Sequence, residues 1–294
     1  MHRLSTGIAE LDDLLGGGLL PGTMTVVLGA TGIGKTQLAL HFANAGLAQE
    51  GHRGVIFDMT ARGDRQNHLD YAQRMFGWQL QIADPERQIE PERFFTAWQP
   101  GQYMQVFEHS GRRVTRRDMD FDAWHQWQAD LARRLQQTIA FFYGNFARGV
   151  TRAVIDGIEP VDRPSDSIQL ELLEYIYHQI LRKDPQWVAR DLFRQHYLRM
   201  AAEAAAHVYD PGAIGCMVLV TSAESMLEAL VERPLDEGDL LSNANTVIYM
   251  GKIRQATRFS RALYIAKHRG SSASDEIIPY QIDDGGLRLA KQQL

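Results

Sequence analysis

Gly29-Ala30-Thr31-Gly32-Ile33-Gly34-Lys35-Thr36 reads G-x-x-x-x-G-K-T, and its surroundings decide the fold. Just before it, Met24-Thr25-Val26-Val27-Leu28 is a short β-branched run that predicts a buried strand. Just after it, Gln37 to Ala45 has helical composition. Strand, glycine loop and helix together form an anion cradle. The glycines let backbone N–H groups curl around phosphate oxygens, and the helix N-terminus adds positive potential. Ala30, Thr31, Gly32, Ile33, Gly34, Lys35, Thr36 and Gln37 are therefore the candidate phosphate-binding residues. In this pattern Lys35 reaches the β- and γ-phosphates and the Thr36 hydroxyl ligates Mg²⁺, so ATP or ADP with Mg²⁺ is the expected cofactor.

Outward from the loop, strands and helices alternate, the pattern of a parallel sheet covered on both faces. Gly54-Val55-Ile56-Phe57-Asp58-Met59 reads as a second strand, and Tyr71 to Phe76 closes the helix that follows. Ala153-Val154-Ile155-Asp156 is an apolar run ending in a carboxylate, and Gly215 to Ser222 is another buried strand. Thr246 to Met250, Arg261 to Ala266 and Ile277 to Ile282 read as antiparallel or edge strands. Asp156 is expected at the C-terminal end of its strand, where doubly wound sheets place ligands, to hold the Mg²⁺ water shell.

Two longer segments, near residues 80–150 and 160–212, interrupt this core. In the first, Tyr103 to Phe107 and Arg113 to Arg116 flank a hairpin turn. Trp124, Trp127, Leu131, Leu135, Ile139, Phe142 and Phe146 then form one stripe of an amphipathic helix, with Gly149 placed to stop it. In the second, helices are expected over Ser167 to Leu181 and Trp187 to Val208. Asp184 is the N-cap and Pro185 the first helical residue of the latter. Both segments enlarge the helical layer or cap one end of the sheet.

The chain has 294 residues, 45% of them hydrophobic, enough for one large core. Its net charge of −5 argues against a grip on nucleic acid through bulk charge. The dense basic cluster Arg112, Arg113, Arg116 and Arg117 is followed at once by Asp118, Asp120 and Asp122, which reads as a solvated hairpin. The single cysteine, Cys216, sits in an apolar run and excludes an internal disulfide. No stretch approaches a membrane span, and the expected setting is cytoplasmic. There is one phosphate loop and no internal repeat, hence one domain over residues 1–294.

Leu4 to Gly22 fits S-T-G-x-x-x-L-D-x-L-L-G-G-G-x-x-x-G and ends where the first core strand begins. With the phosphate loop and Phe76-Gly77-Trp78, it resembles the RecA superfamily of P-loop ATPases, in its KaiC branch with RadA-like neighbours. The resemblance covers residues 4–60, 150–160 and 215–289. It implies a RecA-like α/β core with a mostly parallel sheet, flanking helices and C-terminal antiparallel strands.

The resemblance also implies site residues. Lys267-His268-Arg269-Gly270-Ser271 is similar to the K-x-R-G-[ST] segment whose Lys and Arg reach the γ-phosphate of a neighbouring subunit. Lys267, His268, Arg269 and Ser271 are candidates on that ground, although Ala273 stands where the family often has histidine. Asp284, in Ile282-Asp283-Asp284-Gly285-Gly286-Leu287, falls in the stretch near base and ribose, and Ser222 falls at the γ-phosphate sensor position. The family's water-orienting glutamates are replaced here by Thr60 and Ala61. Asp58 and Glu159 are the candidate substitutes, and slow hydrolysis is expected.

Two functions from different classes follow. One is a KaiC-like ATPase whose nucleotide state controls a homo-oligomeric ring, expected to be a hexamer, and its protein partner. The other is a RecA- or RadA-like DNA-dependent ATPase of recombination or repair, with nucleic acid as partner. A self-phosphorylating kinase ranks below both, because Leu241-Ser242-Asn243-Ala244-Asn245 does not reproduce the acceptor pair of the phosphorylating half of KaiC.

Overall fold

The computed structural model describes residues 2–60, 65–84, 89–107, 120–159, 167–232, 240–270 and 275–290. Its frame is a nine-stranded sheet in the order β3-β2-β4-β5-β1-β6-β7-β8-β9. The strands are β1 (Met24–Gly29), β2 (Val55–Asp58), β3 (Tyr103–Gln105), β4 (Arg152–Ile158), β5 (Gly215–Thr221), β6 (Thr246–Gln255), β7 (Arg258–His268), β8 (Ile278–Asp283) and β9 (Gly286–Leu289). The first six in spatial order are parallel, and β7, β8 and β9 continue antiparallel. β1, β2 and β4 are buried along their whole length, which explains their near-continuous apolar sequences.

One expectation changes at the sheet. β6 is neither antiparallel to β1 nor an edge; it pairs parallel with β1 from Thr25↔Thr246 to Gly29↔Met250. Sequence alone does not distinguish these pairings, because direction is set by the crossover between β5 and β6. Tyr103–Gln105 pairs parallel with β2, and the expected hairpin partner around Arg113–Arg116 lies outside the described residues.

Helices α1 (Ala9–Leu14), α2 (Lys35–Gln49) and α3 (Arg65–Phe76) cover one face of the sheet, with Leu11, Leu15, Leu38, Phe42, Ala72 and Trp78 in its core. On the other face lie α4 (Phe121–Phe146), α5 (Ile168–Ile176), α6 (Pro185–Phe193) and α7 (Tyr197–Ala206), whose core includes Phe142, Phe146, Leu172, Leu192 and Met200. The two long segments thus supply the second helical layer. Of the predicted α4 stripe, Ile139, Phe142 and Phe146 are buried and Leu135 packs against the same core; the side chains of Trp124, Trp127 and Leu131 lie outside the description. Two short helices, α8 (Leu227–Val231) and α9 (Leu240–Asn243), precede β6.

Asp184 caps α6, accepting from Gln186 N–H at 2.9 Å, with Pro185 in the first turn. The expected helix through Val208 is interrupted at Arg194, which has φ 46°. The break lets Val188 and Leu192 of α6 and Met200 and Ala204 of α7 turn onto the same core. A straight helix would carry the second set past it.

The N-terminal pattern has a local physical basis. The Asp12 carboxylate accepts from Ser5 Oγ at 2.5 Å and Thr6 N–H at 2.6 Å, folding the segment onto α1. Gly18 adopts φ 114°, and a Cβ there would lie 2.5 Å from the Leu4 carbonyl oxygen. Among the described residues no helix is long and apolar enough to cross a membrane.

Candidate nucleotide site

β1 ends between β5 and β6, and the chain turns at once into the glycine loop and α2. A Cβ on Gly29 would lie 2.3 Å from the Met250 carbonyl oxygen, so the last strand residue has room only for hydrogen. Gly34 is the N-cap of α2 with φ 112°, a left-handed backbone that glycine adopts without strain. The first-turn N–H groups of α2 therefore stand at the loop as unspent donors.

Lys35 Nζ donates to the carbonyls of Gly29 at 2.7 Å and Ala30 at 3.0 Å, folded back over the loop. Burial lowers its pKa to about 8, partly offset by the Asp156 charge. Thr36 Oγ1 donates to Asp156 Oδ2 at 3.1 Å. Asp58 and Asp156 are register partners on β2 and β4, so two aspartates stand side by side near the strand ends. β4 continues two residues beyond Asp156 to Ile158, with a register shift toward β5, so Asp156 is not the terminal strand residue that its apolar run suggests. Gly157, at φ 100°, allows this: a Cβ there would meet Thr60 N at 2.4 Å.

His68, on α3, joins the two carboxylates. Its Nε2 is 3.0 Å from Asp156 Oδ2 and its Nδ1 is 3.6 Å from Asp58 Oδ2. Asp58 also accepts from the Tyr103 hydroxyl at 2.5 Å and from Thr60 N–H at 2.8 Å. Burial pushes the Asp58 carboxyl above the usual range, and the neighbouring Asp156 charge adds to this; His68, Tyr103 and Thr60 oppose it. Burial would also raise Asp156, but the His68 hydrogen bond, Lys35 and Thr36 outweigh it and hold that carboxyl below its ordinary value.

These groups open on a cleft of about 310 Å³. Of the loop candidates, Thr31, Gly32, Gly34, Lys35, Thr36 and Gln37 line it. Ala30 contributes the carbonyl that holds Lys35, while Ile33 is buried and its carbonyl accepts from the Tyr280 hydroxyl at 2.6 Å. Asp156 and Glu159 line the cleft; Asp58 is fully buried behind it. Ser222 stands beside the wall, its N–H on Gly29 O at 3.0 Å and its hydroxyl on Glu224 at 2.5 Å, while Thr221 faces the cleft. Asp284 is exposed at the β8–β9 turn, 3.9 Å from Arg74. Ser271 lies outside the described residues.

Lys267, His268 and Arg269 are elsewhere in this subunit. Lys267 pairs with Val247 near the start of β6, and Arg269 N–H donates to Asn245 O at 3.0 Å, whereas the phosphate loop leaves β1 level with Met250. They therefore stand at the opposite end of the sheet from their own loop. Lys267 Nζ donates to Ser242 O at 2.6 Å, and partial burial, then the Arg269 charge, lower its pKa. His268 faces inward, within hydrogen-bond reach of Thr246 Oγ1 at 2.9 Å and Leu15 O at 3.1 Å.

Sequence reading missed His68, Asn67 and Tyr71 of α3 and Arg261 of β7, all on the cleft wall. Only helical register signals the first three: positions 67, 68 and 71 share a face. The cleft fits a magnesium nucleotide. Lys35 and the α2 N-terminus supply positive potential, Thr36 and Asp156 are hard oxygen donors, and the buried Gln37 Oε1 has no partner among the described residues.

A strand, glycine loop and helix beside a paired Thr36 and Asp156, on this sheet order, define a P-loop ATPase of the RecA-like fold. A family model described as "ATPase: KaiC" matches residues 4–177, and the chain belongs to that family. It is 32% identical over 97 residues to the circadian clock oscillator protein KaiC of Prochlorococcus marinus (strain MIT 9313), covering 32% of this chain and 17% of that protein. It is 40% identical over 55 residues to KaiC of Thermostichus vulcanus, covering 19% and 10%. It is 48% identical over 50 residues to the DNA repair protein RadA of Mycobacterium tuberculosis (strain ATCC 25618 / H37Rv), covering 17% and 10%. The matches thus span less than a fifth of these relatives' lengths.

Proposed function

We propose that this protein is a slow Mg²⁺-dependent ATPase whose nucleotide state governs a cytoplasmic homo-oligomeric ring of six subunits and its contact with a partner protein. The observation that carries this reading is the separation of two halves of a site. The phosphate loop lies at one end of the sheet, and Lys267 and Arg269 lie at the other. Each subunit then offers its cations to the nucleotide of a neighbour, where they stabilise charge on the transferred phosphoryl group.

Within one subunit, Lys35 and the α2 N-terminus bind the phosphates, and Thr36 with Asp156 holds the metal, which neutralises phosphate charge when bound. Glu159 is the carboxylate among the two candidates that faces the cleft, and it is assigned to orienting the attacking water. Asp58, buried under Tyr103 and Thr60, is assigned to support rather than to chemistry. The mass of the protein in solution, with and without ATP and Mg²⁺, tests the proposal. ATP-dependent growth in mass that Lys35→Ala abolishes is expected. A monomer that binds and hydrolyses ATP at full rate would overturn the ring.

One observation favours the DNA-handling reading. Lys252, Arg254, Arg258 and Arg261 are all exposed on the β6–β7 hairpin, with Lys252 directly opposite Arg261, a like-charged pair that an anion would relieve. Single-stranded DNA binding that weakens steeply with salt and is lost on Arg254→Glu would make this the better reading.

A further inference from the structure

The phosphate loop and Asp156 account for a metal nucleotide, yet a buried polar cluster beside the cleft is organised around a residue with no part in that account. His68 is 4% exposed, Asp58 0%, Asp156 7% and Tyr103 0%. These four side chains come from α3, β2, β4 and β3; Tyr103 donates to Asp58, His68 and Thr36 both bond Asp156, and His68 stands 3.6 Å from Asp58. We propose that His68 is the positioning residue of the metal site: it fixes the Asp156 carboxylate for Mg²⁺ and ties that carboxylate to α3.

The hydrogen-bond chemistry sets its direction. An ionised carboxylate only accepts, so at 3.0 Å His68 Nε2 carries the proton and donates to Asp156 Oδ2. Thr36 Oγ1 donates to the same oxygen at 3.1 Å. Two donors on Oδ2 fix the rotation of the carboxylate and leave Oδ1 uncommitted among the described residues. Opposite, Nδ1 faces Asp58 Oδ2 at 3.6 Å, and Asp58 is itself pinned by Tyr103 and Thr60. The Nε2 hydrogen bond and the buried position of the ring on α3 therefore hold it against Asp156, as a group hydrogen-bonded to a metal-ligating carboxylate commonly is. His68 also shares α3 with Asn67 and Tyr71 on the cleft wall, so the residue that bonds the metal carboxylate and that wall lie on one helix.

This inference rests on the nucleotide reading, and its test separates the two. Binding of the fluorescent probe mant-ATP is measured without metal and across a MgCl₂ titration, for the wild type, His68→Ala and His68→Gln. A histidine nitrogen NMR spectrum of the metal-free wild type reports the tautomer. The expected results are an Nε2-protonated His68, metal-free affinity within about twofold in both variants, and a Mg²⁺ midpoint raised roughly tenfold to a hundredfold in His68→Ala. His68→Gln, whose side-chain amide keeps an N–H of similar reach, is expected to recover most of that loss and guards against a variant that fails to fold. An unchanged Mg²⁺ midpoint in a folded His68→Ala protein, an Nδ1-protonated ring, or an equal loss of metal-free and metal-dependent affinity would overturn the positioning role. A wild type that binds mant-ATP with no response to Mg²⁺ would instead overturn the metal-nucleotide reading beneath it.

Discussion

Thr36, at the first turn of α2, donates its hydroxyl hydrogen to Asp156 of β4 across 3.1 Å, although 120 residues of chain separate them. That contact brings a loop donor and a strand carboxylate to one point, where a divalent cation bound by phosphates finds hard oxygen donors.

Lys35 stands beside it with its pKa lowered to about 8, first by burial and against the pull of Asp156. Only the protonated amine attracts phosphate. ATP affinity should be full below pH 8 and fall by up to about tenfold per pH unit above it, with proton uptake on binding. Lys35→Ala should lose about 2 kcal/mol of ATP affinity, and its affinity should no longer fall through this window. Calorimetry in two buffers of different ionisation heat checks both. A pH-independent wild type would show that Lys35 does not titrate near the phosphates.

Glu159 and Asp58 should separate by phenotype. Glu159→Gln is expected to slow single-turnover hydrolysis at least tenfold while changing nucleotide affinity less than about twofold. Asp58→Asn is expected to lower the melting temperature, because the amide gives Tyr103 or Thr60 a donor where each needs an acceptor. Unchanged hydrolysis in Glu159→Gln would return the water-orienting role to another group.

The Lys267→Ala, Arg269→Ala double variant should lose ATP-dependent assembly or hydrolysis while its own phosphate loop still binds nucleotide. Mixed with Lys35→Ala subunits it should regain part of the hydrolysis, since some interfaces then pair an intact loop with intact cations. Mixing that restores nothing, with both variants shown to co-assemble, would place these cations outside the chemistry.

Arg152 holds the N-terminal segment to the core. It is fully buried and donates to both Glu50 carboxylate oxygens at 2.7 and 2.8 Å, to Ser5 O at 2.6 Å and to Phe42 O at 2.8 Å. Arg152→Met should cost about 3–5 kcal/mol, because Glu50 and two carbonyls lose their partner. Thermal unfolding should drop by about 10 °C. Adding Glu50→Gln should recover part of that loss, which a denaturation cycle over the four proteins would measure.

What the sequence determined by itself is whatever depends on near neighbours along the chain. The glycine loop, its flanking strand and helix, the Asp184 cap with Pro185, and the leucines of α1 all follow from spacings of a few residues, where backbone geometry leaves little choice. The apolar runs located most strands, but not that β6 lies parallel beside β1. Tertiary structure alone decided which polar side chains meet. Tyr103 and Asp58 are 45 residues apart, and His68 and Asp156 are 88 apart. A histidine on a helix announces no partner until the sheet order brings β2, β3 and β4 together beneath it. It also decided that Asp58 faces inward and Glu159 outward to the cleft, and that Lys267 and Arg269 lie across the sheet from their own loop. Strand direction and crossover set those distances, and neither is a property of any short stretch of sequence.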